Sequence, residues 1–109
     1  MRLVIIESPY AGDIEHHVAY ARAAMADCLA RGEAPYASHL LYTQPGVLRD
    51  HDPAERRLGI EAGLVWGEAA ESTVVYDDLG ISAGMQQGID RAIAAGRMVE
   101  FRSLPGWSL

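Results

Sequence analysis

The sequence predicts an α/β domain: a four-stranded, mostly parallel sheet with helices on both faces, a three-layer sandwich. Three observations predict it. Apolar runs of strand length alternate with amphipathic stretches of helix length in the order β-α-β-α-β-α-β. The first run is continuously apolar rather than alternating, as in strands covered on both faces. The helical stretches also open on residues that cap helix N-termini. Parallel neighbours require right-handed crossovers, and ligands of such sheets bind beyond the carboxyl ends of the strands.

Leu3, Val4, Ile5 and Ile6 form the first strand, which ends in Glu7-Ser8-Pro9-Tyr10-Ala11-Gly12-Asp13, a turn rich in loop formers. Asp13 is the expected N-cap of a long helix. Its Ile14, Val18, Ala21, Met25, Cys28 and Leu29 keep helical spacing, and Arg31-Gly32 supplies a cationic last turn and a C′ glycine. A short strand is expected at Pro35–Ser38. His39 to His51 contains Gln44-Pro45-Gly46, lacks periodicity and reads as a loop of functional length. Asp52-Pro53-Ala54-Glu55 then starts a second helix with Asp as N-cap, Pro at N1 and Glu at N3, and its expected buried stripe is Leu58, Ala62, Val65 and Ala69. Ser72–Asp77 supplies another buried strand through Thr73, Val74, Val75 and Tyr76. After the Asp77-Asp78-Leu79-Gly80 turn, a third helix sets Met85, Ile89, Ala92 and Ile93 on one face and stops at Gly96. Met98–Phe101 is the last strand. Residues 1–104 are expected to form one domain, followed by a short tail, 105–109, either frayed or packed on a neighbour.

A chain of 109 residues fits one domain. Nine cationic side chains against fifteen acidic ones give a net charge of −6, which argues against a nucleic-acid backbone or an anionic membrane as main partner. All nine cations are Arg, each able to form a bidentate fork to phosphate or carboxylate. Cys28 is the only cysteine, so no intrachain disulfide can form, and its place on a helical stripe makes it a buried structural thiol. No apolar run approaches the roughly 20 residues of a membrane span, and no secretory leader pattern opens the chain. A cytoplasmic location is therefore expected. The spacing of His16, His17, His39 and His51, with Asp50 and Asp52, matches no metal site, and neither a metal nor a cofactor is expected.

Two loops lie at carboxyl ends of strands: Glu7–Asp13 and Asp77–Gly84. In the second, Gly80-Ile81-Ser82-Ala83-Gly84-Met85 runs into a helix, so free N–H groups, a hydroxyl and the positive dipole end converge as they do at phosphate and carboxylate sites. An ordinary Ser N-cap with packing glycines would read the same. In the first, Ser8, Pro9, Tyr10, Gly12 and Asp13 offer a hydroxyl, an aromatic platform and a further helix start facing the same crevice. Tyr10 as a simple loop anchor is the alternative. His39, just past a strand end, is a polar substrate contact, and Asp77 and Asp78 end a strand beside the crevice. None of the nine Arg lies in either loop. Backbone N–H groups, hydroxyls and dipoles are therefore expected to hold an anion, with an Arg reaching in from a partner subunit.

The opening V-I-I-E-S-P-Y-A-G-D, the middle A-S-H-L-L-Y-T-Q, the E-R-R-L-G-I helix and the closing G-I-S-A-G-M-Q-Q-G-I-D-R-A together resemble small proteins of the nucleoside 2-deoxyribosyltransferase-like superfamily, over nearly the whole chain. The resemblance implies a flavodoxin-like or Rossmann-like fold and a homo-oligomer whose site is finished by the neighbouring subunit. It implies a phosphate contact at Ser82 and places the family's nucleophilic glutamate at Gly88, which has no side chain to form a glycosyl-enzyme. The nearest carboxylates are Asp77, Asp78 and Asp90, of which Asp90 points elsewhere on the helix. Two main readings stay open. One is a nucleotide-binding protein that holds a nucleotide or cyclic ADP-ribose-like signal without cleaving it, as a phage sponge against host defence would, through Ser8, Pro9, Tyr10, Gly12, Asp13, His39, Asp78, Ile81, Ser82, Gly84, Met85 and Gly88. The other is a nucleotide N-glycosidase or deoxyribosyltransferase with water activated by Asp77 or Asp78. A third, blander reading is a dimerisation module with a vestigial pocket.

Overall fold

In the structure, a computed structural model describing residues 1–109, four strands form one sheet: β1 (Arg2–Glu7), β2 (Glu33–Tyr36), β3 (Ser72–Tyr76) and β4 (Met98–Arg102). Their order is β2-β1-β3-β4, and every neighbouring pair is parallel. Helices α1 (Ile14–Ala30), α2 (Pro53–Ala69) and α3 (Ala83–Ala94) make the crossovers, and a single 3-10 turn, Ser38–Leu40, follows β2. The chain leaves β1 toward β2 on one side and later returns to β3 on the other. The carboxyl ends of β1 and β3 therefore flank a topological switch point.

Local signals set the helix starts as the sequence predicts. Asp13 accepts from the His16 N–H, Asp52 from Ala54 and Glu55, and Ser82 from Met85. Gly32, Gly80 and Gly96 adopt positive φ (78°, 86° and 72°) where α1 ends, the β3 loop turns and α3 ends. β2 begins two residues earlier than expected. Glu33 is anchored at the strand start by Arg2 and Arg102, and Ser38 already belongs to the 3-10 turn.

One core face joins Tyr20, Ala24 and Cys28 of α1 to Val4, Ile6, Val74 and Tyr76 of the sheet. Ile14 and Leu29, expected on that stripe, are exposed (48% and 53%), because a 17-residue helix outruns six-residue strands at both ends. Within the tail, Trp107 folds back onto α1 while Leu109 is exposed. Leu104 is buried, and Trp107 packs edge-on to Tyr20 at 5.1 Å and against His16 at 5.2 Å.

The opposite face is thinner. Met85 and Ile89 of α3 pack on Val75, with Val99 alongside, whereas Ile93 is exposed. Only Gly67 of α2 is buried. Leu58 and Val65, expected in its buried stripe, are 56% and 67% exposed. A helix lying flat on the sheet would bury them. Instead α2 stands off from the sheet across a cavity, and its apolar stripe faces outward.

Candidate functional site

The cavity, of about 330 Å³, lies between α2 and the β1–β3 face of the sheet and opens at their carboxyl ends. Small-molecule sites begin at roughly this size. Glycines shape it. Gly59, Gly63 and Gly67 recur every fourth residue, form one ridge of α2 and line the cavity together, and Gly88 lines it from α3. Each helical glycine costs about 1 kcal/mol relative to Ala, so the open space is maintained against local helix propensity.

Glu7, the last residue of β1, reaches into this space. A Cβ built on Gly88 would fall inside the van der Waals envelope of the Glu7 carboxyl group. The carboxyl therefore occupies the volume that any other residue at 88 would claim. Burial pushes its pKa up to about 8, partly offset by the guanidiniums of Arg91 and Arg97. Neither Arg forms an ion pair with it; they act through space. At neutral pH Glu7 is mostly protonated.

Around Glu7 stand groups of complementary chemistry. Tyr10 stacks on His39 with ring centroids 5.1 Å apart and planes 15° from parallel, forming a flat aromatic wall. His17 Nδ1 donates to the Tyr10 carbonyl, 2.9 Å away, and fixes that loop. Burial lowers the His39 pKa, which favours the neutral ring. Tyr36 stacks on Trp66 and keeps a buried hydroxyl without a hydrogen-bond partner. At the start of α3, Ser82 caps the Met85 N–H and leaves the Ala83 and Gly84 N–H groups without intrahelical partners. Arg97 donates to the Thr73 hydroxyl at 3.1 Å and to the Gly67 carbonyl, which holds it at the back wall.

Six of the residues expected at the site line the cavity: Tyr10, His39, Ser82, Gly84, Met85 and Gly88. Gly12 lines an adjoining outer depression that shares Tyr10, Ala11, Thr43 and Arg56 with it. The others lie outside. Ser8 and Pro9 are buried beneath the loop, the Asp13 carboxylate caps α1, and the Ile81 side chain is exposed. Asp77 is not among the lining residues. Asp78 is tied to the α1 face: its carboxylate accepts from Tyr20 Oη at 2.6 Å and from the Leu104 N–H at 2.8 Å. Neither loop holds an Arg, as the sequence shows, but Arg56, Arg91 and Arg97 of the same chain line the cavity from α2, α3 and the α3–β4 connection, so an arginine need not come from a partner to reach it. Glu7, these arginines, Tyr36 and the glycine ridge were not among the expected site residues. The signals for them were a charged residue closing an apolar strand and a Gly-x3-Gly-x3-Gly spacing. No group of three or more His, Cys, Asp or Glu is placed to hold a metal ion, and no helix is long and apolar enough to cross a membrane.

Fold and crevice together define an all-parallel α/β protein with a small-molecule cavity at its switch point. The chain belongs to a family described as a domain of unknown function, DUF7768, whose model matches residues 2–102. Comparison with curated proteins gives no match. Among solved structures the chain is similar to a 2-deoxyribosyltransferase from the psychrotolerant bacterium Bacillus psychrosaccharolyticus, with a TM-score of 0.67 and 16% identity over 98% of this chain and 76% of that one. At this identity the likeness is one of fold, and it agrees with the fold that the sequence motifs implied.

Proposed function

We propose that the crevice binds a nucleoside or nucleotide. The carrying observation is that one cavity combines an aromatic wall (Tyr10–His39), unpartnered N–H groups at a helix start (Ala83, Gly84) and three guanidiniums. In this reading the base lies against Tyr10 and His39, and a phosphate sits at Ser82 and the α3 N-terminus. The fold shared with a deoxyribosyltransferase supports it. Calorimetry against nucleosides, nucleoside mono- and diphosphates and cyclic ADP-ribose isomers is the test, and no binding by any of them would sink the proposal. Gly63→Leu provides the control. A Cβ at Gly63 meets only Ser38 Cβ, at 3.8 Å, so a larger side chain is accommodated by the fold but fills the cavity. Nucleotide binding is expected to fall by roughly 100-fold or more while thermal stability holds or rises, since the glycine penalty of about 1 kcal/mol is removed.

Sequestration of a nucleotide signal during virus–host conflict requires an inert pocket. An unpaired carboxyl in the cavity favours the second reading, cleavage of an N-glycosidic bond. The proposal extends to a homo-oligomer whose site is shared between subunits, with α2 as the contact: Leu58, Val65 and Trp66 are exposed on it (56%, 67% and 49%). Light scattering is expected to give a dimer or larger assembly that Val65→Glu reduces to monomer. A monomer at every concentration of the unmodified chain would exclude this arrangement.

A further inference from the structure

We infer that Glu7 is the catalytic carboxylate of this crevice, a nucleophile toward the sugar carbon of the glycosidic bond, seated in the volume that Gly88 leaves open. The inference rests on the nucleotide-binding reading. It follows from which carboxyls are available. Three acidic residues line the cavity: Glu7, Asp50 and Glu55. Asp50 faces Arg56 at 3.8 Å, and Glu55 is bound by Arg49 at 2.8 Å. Glu7 alone has no ion-pair partner, and Gly88 is shaped around it. A site with two unengaged carboxylates can divide acid and base roles between them. Glu7 has no unengaged carboxyl partner to divide those roles with, and the role open to it alone is that of nucleophile.

The chemistry balances with water as the only co-reactant. A Glu7 carboxylate oxygen bonds to C1′ as the C1′–N bond breaks, its electron pair leaving on the base nitrogen, which takes a proton from solvent. Water then bonds to C1′ and loses a proton to solvent, while the C1′–O bond breaks and returns its pair to Glu7. The products are free base and free sugar or sugar phosphate. The charged and titratable surroundings of Glu7 are Arg91 on α3, Arg97 before β4, Arg56 and Glu55 on α2, Asp50 in the loop and His39, whose pKa burial lowers. The reactive form is the carboxylate, so base release should rise with pH toward about 8, the pKa at which Glu7 ionises.

The test is chromatographic detection of free base from ribo- and deoxyribonucleosides and their 5′-monophosphates, with intact-mass measurement after acid quench. The unmodified protein is expected to release base and to carry a glycosyl ester. Glu7→Gln, nearly isosteric, should lower release by roughly 10³-fold or more and lose the adduct, while its calorimetric affinity for the same nucleotide stays within a few-fold. A structural role for Glu7 would move neither adduct nor pH profile. Nucleotide binding without base release by the unmodified protein, or full release by Glu7→Gln, would overturn the inference and leave the binding reading standing. Absence of binding would overturn both.

Discussion

Glu33→Gln is expected to destabilise the fold by about 3–5 kcal/mol, a large share of the roughly 5–15 kcal/mol that holds a domain of this size folded. Arg102 donates to both Glu33 oxygens, at 2.7 and 2.8 Å, with both side chains almost fully buried (4% and 6% exposed). The same guanidinium donates to Tyr76 Oη at 3.2 Å and pairs with Glu100, while Arg2 reaches Glu33 at 2.9 Å. Removing the negative charge leaves a buried guanidinium opposite a neutral amide beneath α1. Most of the loss is that guanidinium, left with Glu100 as its one carboxylate partner, rather than a net contribution of the pair, so a well-packed apolar replacement of both residues should cost far less. Urea midpoints of the two variants make the comparison; equal losses would show that the pair is not what holds this layer.

The same carboxylate sets one limb of the stability profile, and Glu7 sets the other. Its arginine partners hold Glu33 down to about 2, so its contribution is fully present above the unfolded pKa near 4.5 and is lost as pH falls toward 2. Glu7 works in the opposite sense. Its folded pKa of about 8 lies above the unfolded value, so the folded state binds the extra proton between pH 4.5 and 8 and stability declines as pH rises through that window. Taken together, these two carboxyls favour the folded state most near pH 4.5 to 5. Glu7→Gln should flatten the decline toward pH 8 and leave the acid limb unchanged, as urea midpoints across pH will read out.

The parts of the fold legible in the sequence were those that local chemistry decides. Asp13, Asp52 and Ser82 cap their helices because capping involves only the next three residues, and the apolar run at Leu3–Ile6 had to be a covered strand. Where packing over distance decides, the pattern misled. The apolar spacing of Leu58, Ala62, Val65 and Ala69 is helical, but spacing does not say which face meets the sheet. The buried side of α2 is marked instead by Gly59, Gly63 and Gly67, residues that hydrophobicity does not weigh. Strand order pointed to the carboxyl ends of β1 and β3, where the cavity lies, and among the carboxylates there the sequence reading favoured Asp77 and Asp78, not Glu7. All three end strands, and only the three-dimensional pairing of Asp78 with Tyr20 and Leu104 separates them.

Gly88→Ala is expected to divide stability from chemistry. In an ordinary helix interior the exchange stabilises by about 1 kcal/mol. Here the new methyl group takes the place of the Glu7 carboxyl, which is the far end of a flexible side chain and can swing away into the cavity. The fold should therefore survive with stability within about 1 kcal/mol of the unmodified chain. A catalytic group displaced by about 1 Å costs on the order of 100-fold in rate, so base release should fall by that factor. A double-mutant cycle isolates the cause. In a Glu7→Ala background the clash is gone, and Gly88→Ala should recover the full helix-propensity gain of about 1 kcal/mol. The difference between its effects in the two backgrounds measures the coupling of residues 7 and 88. If that coupling is zero and Gly88→Ala releases base at the unmodified rate, the glycine is a packing accident rather than the seat of the carboxylate. A coupling of one kcal/mol or more, with activity lost and fold retained, would mean that the carboxylate on β1 and the bare position on α3 form one functional unit.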